Sequence, residues 1–373
     1  MNVSLHRRVG AIALTGALAL SLAACGSDNP VGEAGTDVDA PGTTETELSG
    51  DLAGAGASTQ EAAMGAWRAG FQSTYPDVTV AYDPVGSGGG RTQFLNGGVA
   101  FAGSDAPLDE DELAQAEERC AGGEVIEIPL YISPIAVIYN LPDVEQLNLS
   151  PEVLAGIFNR QITTWDAPEI AADNPDATLP DLPITPVNRS DESGTTENFT
   201  EYLAATAGDA WPHEASGDWP VSGGQSAQGT SGVVQTVNGG EGTIGYADAS
   251  QAGQLGTARI KVGEEWVEYS PEASAAVVAA SPRAEGRGEH DIVVELDRTT
   301  TEPGTYPLVL VSYSIACAGY EDETQGELVQ AFLGYVVSEE GQEAAAGAAG
   351  SAPISEELRS DAEAAIEAIT AGA

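Results

Sequence analysis

Basic residues are scarce in this chain of 373 residues. Only 13 lysines and arginines stand against 58 aspartates and glutamates, a formal net charge of −45. So negative a field excludes nucleic acid and anionic lipid surfaces as partners. Lysine is rarer still: the single one, Lys261 in Arg259-Ile260-Lys261-Val262-Gly263, has no glycine-rich loop leading into it. That excludes a P-loop nucleotide site and argues against a Schiff-base enzyme. Histidine is confined to His6, His213 and His290, and cysteine to Cys25, Cys120 and Cys317, with no two of them at metal-ligand spacing. Neither a zinc site nor a Cys-His nucleophile is expected, and no other cofactor is implied. There is also no Gly-x-Ser-x-Gly elbow, which leaves a hydrolase as a weak alternative.

The N-terminus indicates export. His6-Arg7-Arg8 precede an apolar run from Val9 to Leu22, and Leu22-Ala23-Ala24-Cys25 reads as a bacterial lipobox with cleavage before Cys25. The run is short for a membrane span and ends in small residues followed by polar ones, so residues 1–24 are expected as a lipoprotein signal peptide. Residues 25–50, rich in Gly, Asp, Glu, Thr and Pro, read as a lipidated tether with little to bury. The protein is therefore expected on the outer face of the bacterial cytoplasmic membrane. In that compartment Cys120 and Cys317 are expected to form a disulfide, with two separate buried thiols as the alternative.

About 320 residues remain, more than one core usually serves, so two lobes are expected. Asp51 to Gly54 reads as a strand end. Gln60 to Tyr75 reads as a helix with Met64, Trp67 and Phe71 on one side, stopped near Pro76, and Val78 to Tyr82 as a strand. A glycine turn at Gly86–Gly90, a helix through Phe94-Leu95 and a strand over Val99–Gly103 follow. This alternation predicts an α/β fold with mainly parallel sheets flanked by helices and a ligand at the carboxyl ends of strands. The Ala- and Glu-rich tail from Ser338 onward reads as surface helices.

Four loops carry candidate chemistry. Asn188 to Phe199 packs an oxyanion receptor into one stretch: Arg189 supplies a fork of donors, Asp191 can orient it, and Ser193, Gly194 and Thr195 open a helix. Ser58-x-x-Glu61 has capping-box spacing, which alone means a helix start, yet the preceding Gly54-Ala55-Gly56-Ala57 allows close backbone approach. Gly86, Ser87 and Gly88 can form a backbone nest or simply a flexible turn. Asp105 either caps the turn before Pro107 or accepts a proton carried by a ligand.

These segments resemble the periplasmic and lipid-anchored phosphate-binding proteins of phosphate ABC transporters, the PstS family. Gly54-Ala55-Gly56-Ala57-Ser58, Gly86-Ser87-Gly88-Gly89-Gly90, Ser104-Asp105-Ala106-Pro107-Leu108 and Arg189-Ser190-Asp191-Glu192-Ser193-Gly194-Thr195 occur in the family's order, supported by Ile162-Thr163-Thr164-Trp165-Asp166 and Gly242-Thr243-Ile244-Gly245-Tyr246. Thr59 departs from the aromatic residue that several relatives carry there, at a position thought to act through its backbone N–H.

The resemblance implies a two-lobed periplasmic-binding-protein fold of the second type, with the ligand in the cleft between lobes. Lobe I is expected over 51–132 and 306–373 and lobe II over 133–305, with crossings at 128–137 and 304–311. It further implies a monomer that captures inorganic phosphate for membrane permease subunits and performs no catalysis. The expected ligand residues are Ser58, Thr59, Ser87, Asp105, Arg189, Ser193, Gly194 and Thr195, supported by Asp191, Gly86 and Gly88. The alternatives are a secreted phosphoesterase on a similar scaffold and a receptor for sulfate or molybdate. Asp105 argues against both of those anions, which are fully deprotonated at neutral pH.

Overall fold

The computed structural model describes residues 48–121 and 123–371. The expected signal peptide, Cys25 and nearly all of the tether lie outside them. Among the described residues no helix is long and apolar enough to cross a membrane.

In chain order the first part comprises β1 (Gly50–Gly56), α1 (Glu61–Thr74), β2 (Val78–Asp83), α2 (Ser87–Leu95), β3 (Phe101–Ser104), α3 (Glu110–Arg119) and β4 (Val125–Tyr139). The middle comprises β5 (Leu147–Leu149), α4 (Pro151–Phe158), α5 (Pro168–Asp173), β6 (Thr185–Arg189), α6 (Gly194–Thr206), β7 (Gln225–Ala227), α7 (Gly229–Gly239), β8 (Thr243–Asp248), β9 (Gly256–Val262), β10 (Glu265–Val267) and α8 (Pro271–Ala280). The chain then returns through β11 (Val309–Cys317) to α9 (Glu323–Val337), α10 (Glu339–Ala349) and α11 (Glu356–Glu367).

The helices follow from simple patterns. In α1 the side chains of Met64, Trp67 and Phe71 recur at i, i+3 and i+7 and are buried. Pro76 follows directly on Tyr75, where the helix stops. Trp67 donates its indole N–H to Gly341 O at 2.8 Å, which docks the start of α10 on α1. The tail after Ser338 thus forms helices, as expected.

The principal path of the sheet runs β2-β1-β3-β11-β4-β8-β6-β7, with β9 attached to β4 and carrying β5 and β10. The expected parallel pairing holds on the two flanks: β2, β1 and β3 run parallel, as do β8, β6 and β7. The middle differs. There β11 lies antiparallel to both β3 and β4, and β4 antiparallel to β8, because two long strands carry the chain out and back. β4 pairs with β11 as far as Pro134 and with β8 from Ile135 onward. The returning strand was expected over 304–311; it begins at Val309 and continues to Cys317. In the same sheet a register shift at Ser312/Tyr313 lies opposite Pro129, which has no N–H for the ladder.

Cys120 and Cys317 are joined by a disulfide across a sequence separation of 197, tying the end of α3 to the end of β11. A cross-link closing so long a loop stabilises by about 5 kcal/mol in the chain-entropy model.

Candidate functional site

The carboxyl ends of β1, β3 and β6 and the N-termini of α2, α6 and α7 converge on the predicted residues. Ser58 and Thr59 follow β1 in a single 3-10 turn, Ser58–Gln60. The capping-box expectation fails here, since no side chain caps this turn or α1. The Ser58 hydroxyl instead meets Thr230 Oγ1 at 2.9 Å and accepts from the Thr230 N–H at 3.1 Å, at the start of α7. The glycine turn is also reassigned: the helix starts at Ser87, so Gly88 to Gly90 form its first turn. A Cβ on Gly90 would lie 2.4 Å from Gly56 Cα, so glycine is what lets α2 begin directly on the end of β1.

Asp105 follows β3 and is buried. Its Oδ1 accepts hydrogen bonds from Thr59 Oγ1 and Ser312 Oγ, both at 2.7 Å, and its Oδ2 accepts from Thr195 Oγ1 at 3.1 Å. Its backbone N–H donates to Ser87 Oγ at 3.1 Å. Burial pushes the Asp105 carboxyl upward, and the hydroxyls of Thr59, Ser312 and Thr195 together with the Arg189 charge oppose that shift. The Asp105 carboxylate therefore accepts from three hydroxyls of the protein and does not cap the turn before Pro107.

Opposite Asp105, β6 ends at Arg189, which is buried. Its Nε and Nη2 donate to the two oxygens of Asp191 at 2.9 and 2.5 Å, and its Nη1 to Thr195 Oγ1 at 3.4 Å. Guanidinium has five N–H donors, so two remain on the edge away from Asp191. Asp191 also accepts from the Gly229 N–H at 3.0 Å, and the hydrogen bonds and charge of Arg189 hold its carboxyl below the usual range against the effect of burial. Ser193 caps α6 by accepting from the Thr196 N–H at 3.2 Å. A Cβ on Gly194 would lie 2.7 Å from both Asp105 Cβ and Ser87 Oγ, so this glycine permits the two sides of the site to touch. Gly86 has φ +95°, and a Cβ there would lie 2.5 Å from Asp191 Oδ2; one on Gly88 would run into the Glu192 side chain.

All eight expected ligand residues and their three supporting neighbours thus lie in one connected region. Arg189, Asp191 and Asp105 sum to one negative charge, so an anion here would depend on oriented hydroxyl and N–H dipoles more than on net charge. Tyr246, from a segment noted in the sequence, supports the loop from beneath: its hydroxyl pairs with Thr196 Oγ1 at 2.7 Å, and its ring stacks on Phe199 at 4.3 Å.

Several contributors escaped sequence reasoning. Thr230 lies in Gln228-Gly229-Thr230-Ser231-Gly232, a Gly-and-hydroxyl run at a strand-to-helix junction like the others, and could have been found by that signature. Ser312 is one of two serines in a largely apolar strand, a weaker signal. Gln60, which donates to Ser312 Oγ at 2.7 Å, had none. Nor did the support behind Asp105, where buried Glu127 accepts from the Leu108 N–H at 2.9 Å and Arg287 bonds both Glu127 and Leu108 O. Burial, reinforced by Asp291, pushes Glu127 upward.

The chain matches the sequence model of the PBP superfamily domain over residues 41–340. It is 36% identical over 380 residues to phosphate-binding protein PstS3 of Mycobacterium bovis, covering 98% of this chain and 100% of that protein. To phosphate-binding protein PstS 2 of Mycobacterium tuberculosis it is 35% identical over 375 residues, covering 98% and 99%. Among solved structures, a high-affinity periplasmic phosphate-binding protein bound with phosphate superposes with a TM-score of 0.69 at 23% identity, covering 84% of this chain and 93% of that one. That likeness shows the fold, a mixed α/β periplasmic-binding-protein architecture of two lobes. The chain belongs to the PBP superfamily and, within it, to the family of the PstS phosphate-binding proteins.

Proposed function

We propose that the protein captures inorganic phosphate between Asp105 and Arg189 and passes it to the permease subunits of a phosphate ABC importer. The observation that carries this reading is the buried Asp105 carboxylate. Its Oδ1 is filled by Thr59 and Ser312, while Oδ2 accepts from Thr195, whose hydroxyl oxygen in turn accepts from Arg189 Nη1. Hydrogen phosphate brings both unpaired acceptor oxygens and an O–H. The oxygens take the two remaining Arg189 donors, the hydroxyls of Ser58 and Ser87, and the N–H groups at the start of α6, that of Thr195 among them, since the Thr195 hydroxyl proton is held by Asp105. The O–H donates to Asp105. Sulfate lacks that proton and would set bare lone pairs against a carboxylate, and molybdate likewise. The names of the PstS relatives accord with this choice of ligand.

Capture rather than catalysis fits the surroundings. His213 pairs with Asn159 and His290 lies beside Glu124, so neither is placed to activate a site hydroxyl. The division proposed is lobe I over 51–132 and 306–373 and lobe II over 133–305, supported by the change of β4's partner at Pro134/Ile135. In this arrangement Ser58 reaches Thr230 and Asp105 reaches Thr195, the contacts of a closed cleft, which hinge motion would part. A lipid on Cys25 would hold the monomer at the outer face of the cytoplasmic membrane beside the permease.

Calorimetric titration of the full chain with phosphate and with sulfate tests the reading. Tight phosphate binding with sulfate weaker by about 10⁴-fold is expected. Equal binding of the two, or hydrolysis of a generic phosphate ester, would contradict it.

A further inference from the structure

Arg298 lies outside every loop that the sequence marks as a ligand contact, yet it is buried. Its fork is fully used. Nη1 donates to Pro307 O at 3.1 Å and Val309 O at 2.5 Å, Nε and Nη2 donate to Glu201 Oε2 at 3.3 and 2.9 Å, and Nη2 also donates to Asn198 Oδ1. Five N–H groups thus meet five acceptor contacts, which leaves the guanidinium no freedom to turn.

The Asn198 amide is fixed in consequence. Its Oδ1 faces a cation, and its Nδ2 donates to Asp105 O at 2.7 Å and to Gly194 O at 2.8 Å, so the reversed amide would set donor against donor and oxygen against oxygen. Asn198 lies one turn into α6, the helix that opens with Gly194 and Thr195. Pro307 and Val309 lead into β11, which carries Ser312. One buried pair therefore ties together the start of β11, the first turn of α6 and the backbone of Asp105.

We propose that Asn198, aimed by Arg298, is a positioning residue for anion capture. Hydroxyls from Thr59, Thr195 and Ser312 orient the Asp105 carboxylate, while Asn198 clamps the Asp105 main chain to α6. The bond spans the two sides that part when the cleft opens, so it is made only in the closed arrangement and slows ligand release. This inference rests on the phosphate reading above.

Three variants of the full chain, Asn198→Asp, Asn198→Ala and Arg298→Met, test it through the phosphate dissociation constant, the release rate and the melting temperature without phosphate. Asn198→Asp keeps an oxygen for Arg298 but sets its second carboxylate oxygen against Asp105 O and Gly194 O where the amide donated, so the clamp is replaced by repulsion. A buried hydrogen bond left unmade corresponds to about ten- to hundredfold weaker phosphate binding, carried by faster release. Arg298→Met is expected to move affinity in the same direction.

Wild-type affinity in both Asn198 variants would overturn the proposal. So would an affinity loss that only tracks a fall in the phosphate-free melting temperature. Should Asn198→Ala not fold, Asn198→Asp alone decides. A wild-type chain that binds no phosphate contradicts the functional reading itself, a result distinct from these.

Discussion

The two sides of the site are built in different ways. The Arg189 side is local: Arg189 is oriented by Asp191 two residues on and reaches Thr195 six residues on, and Ser193 caps the helix that follows. The Asp105 side is dispersed. The three hydroxyls on its carboxylate come from Thr59, Thr195 and Ser312, at separations of 46, 90 and 207 residues. A receptor for charge can be written into one loop, because a guanidinium needs only a neighbouring carboxylate and a helix start. A buried carboxylate that must stay an acceptor needs donors from several directions, and only the folded sheet can bring them together.

The largest expected effect breaks the local side. Arg189→Ala leaves ligand oxygens unpaired and Asp191 without its partner, and should weaken phosphate binding by about 2–5 kcal/mol. Arg189→Lys should recover only part, because an ammonium cannot serve Asp191 and an oxyanion through one planar fork. Calorimetry on both variants checks this, and unchanged affinity in both would place Arg189 outside the ligand's reach.

A smaller loss is expected on the dispersed side. Ser312→Ala removes one of two donors to Asp105 Oδ1 and leaves the other in place, so the affinity loss should be about 1 kcal/mol. The same change removes a hydroxyl that holds the carboxyl down, so binding should also weaken at higher pH than in the wild type as the medium is acidified. Titration with phosphate across pH 5 to 8, corrected for the ligand's own ionisation, would show the shift.

An effect of similar size, on stability rather than affinity, concerns a charge at the meeting of the two sides. Arg91, on α2, pairs with Glu112 at 2.9 Å and with Glu192 of the Arg189 loop at 2.6 Å. Nearby, Glu197 is raised to about 7 by burial; Arg91 opposes the rise, and Glu201, Glu192 and Glu112 add to it. Because its folded value lies above its ordinary 4.5, the cost of its charge is absent below about pH 4.5 and is fully present once pH passes 7. Glu197→Gln should therefore stabilise the protein at pH 8 by roughly 1 kcal/mol, after allowance for partial exposure, and leave stability at pH 4.5 unchanged. Thermal melts at the two pH values measure it.

What could be read from the sequence follows the same division. The Arg189 loop, the α1 stripe of Met64, Trp67 and Phe71, and the Cys120–Cys317 bond were accessible because each rests on local spacing or on a count within a compartment. The antiparallel middle of the sheet was hidden, since nothing in β4 or β11 alone states which strand lies beside it. The spacing from Ser58 to Glu61 misled for a related reason: it matches a cap, and only the fold shows the Ser58 hydroxyl turned to Thr230 instead. Ser312, Asn198 and Arg298 carry no motif, and their roles exist only once β11 and α6 lie beside Asp105.

The most direct test of the central claim is the sulfate-to-phosphate affinity ratio in the wild type and in Asp105→Asn, at fixed salt and at pH 6 and 8. An amide can offer a donor where the carboxylate could only accept, so the penalty against sulfate should shrink by at least about tenfold, or roughly 1.4 kcal/mol, while phosphate still binds. A ratio unmoved by the substitution would contradict the account and place discrimination outside Asp105.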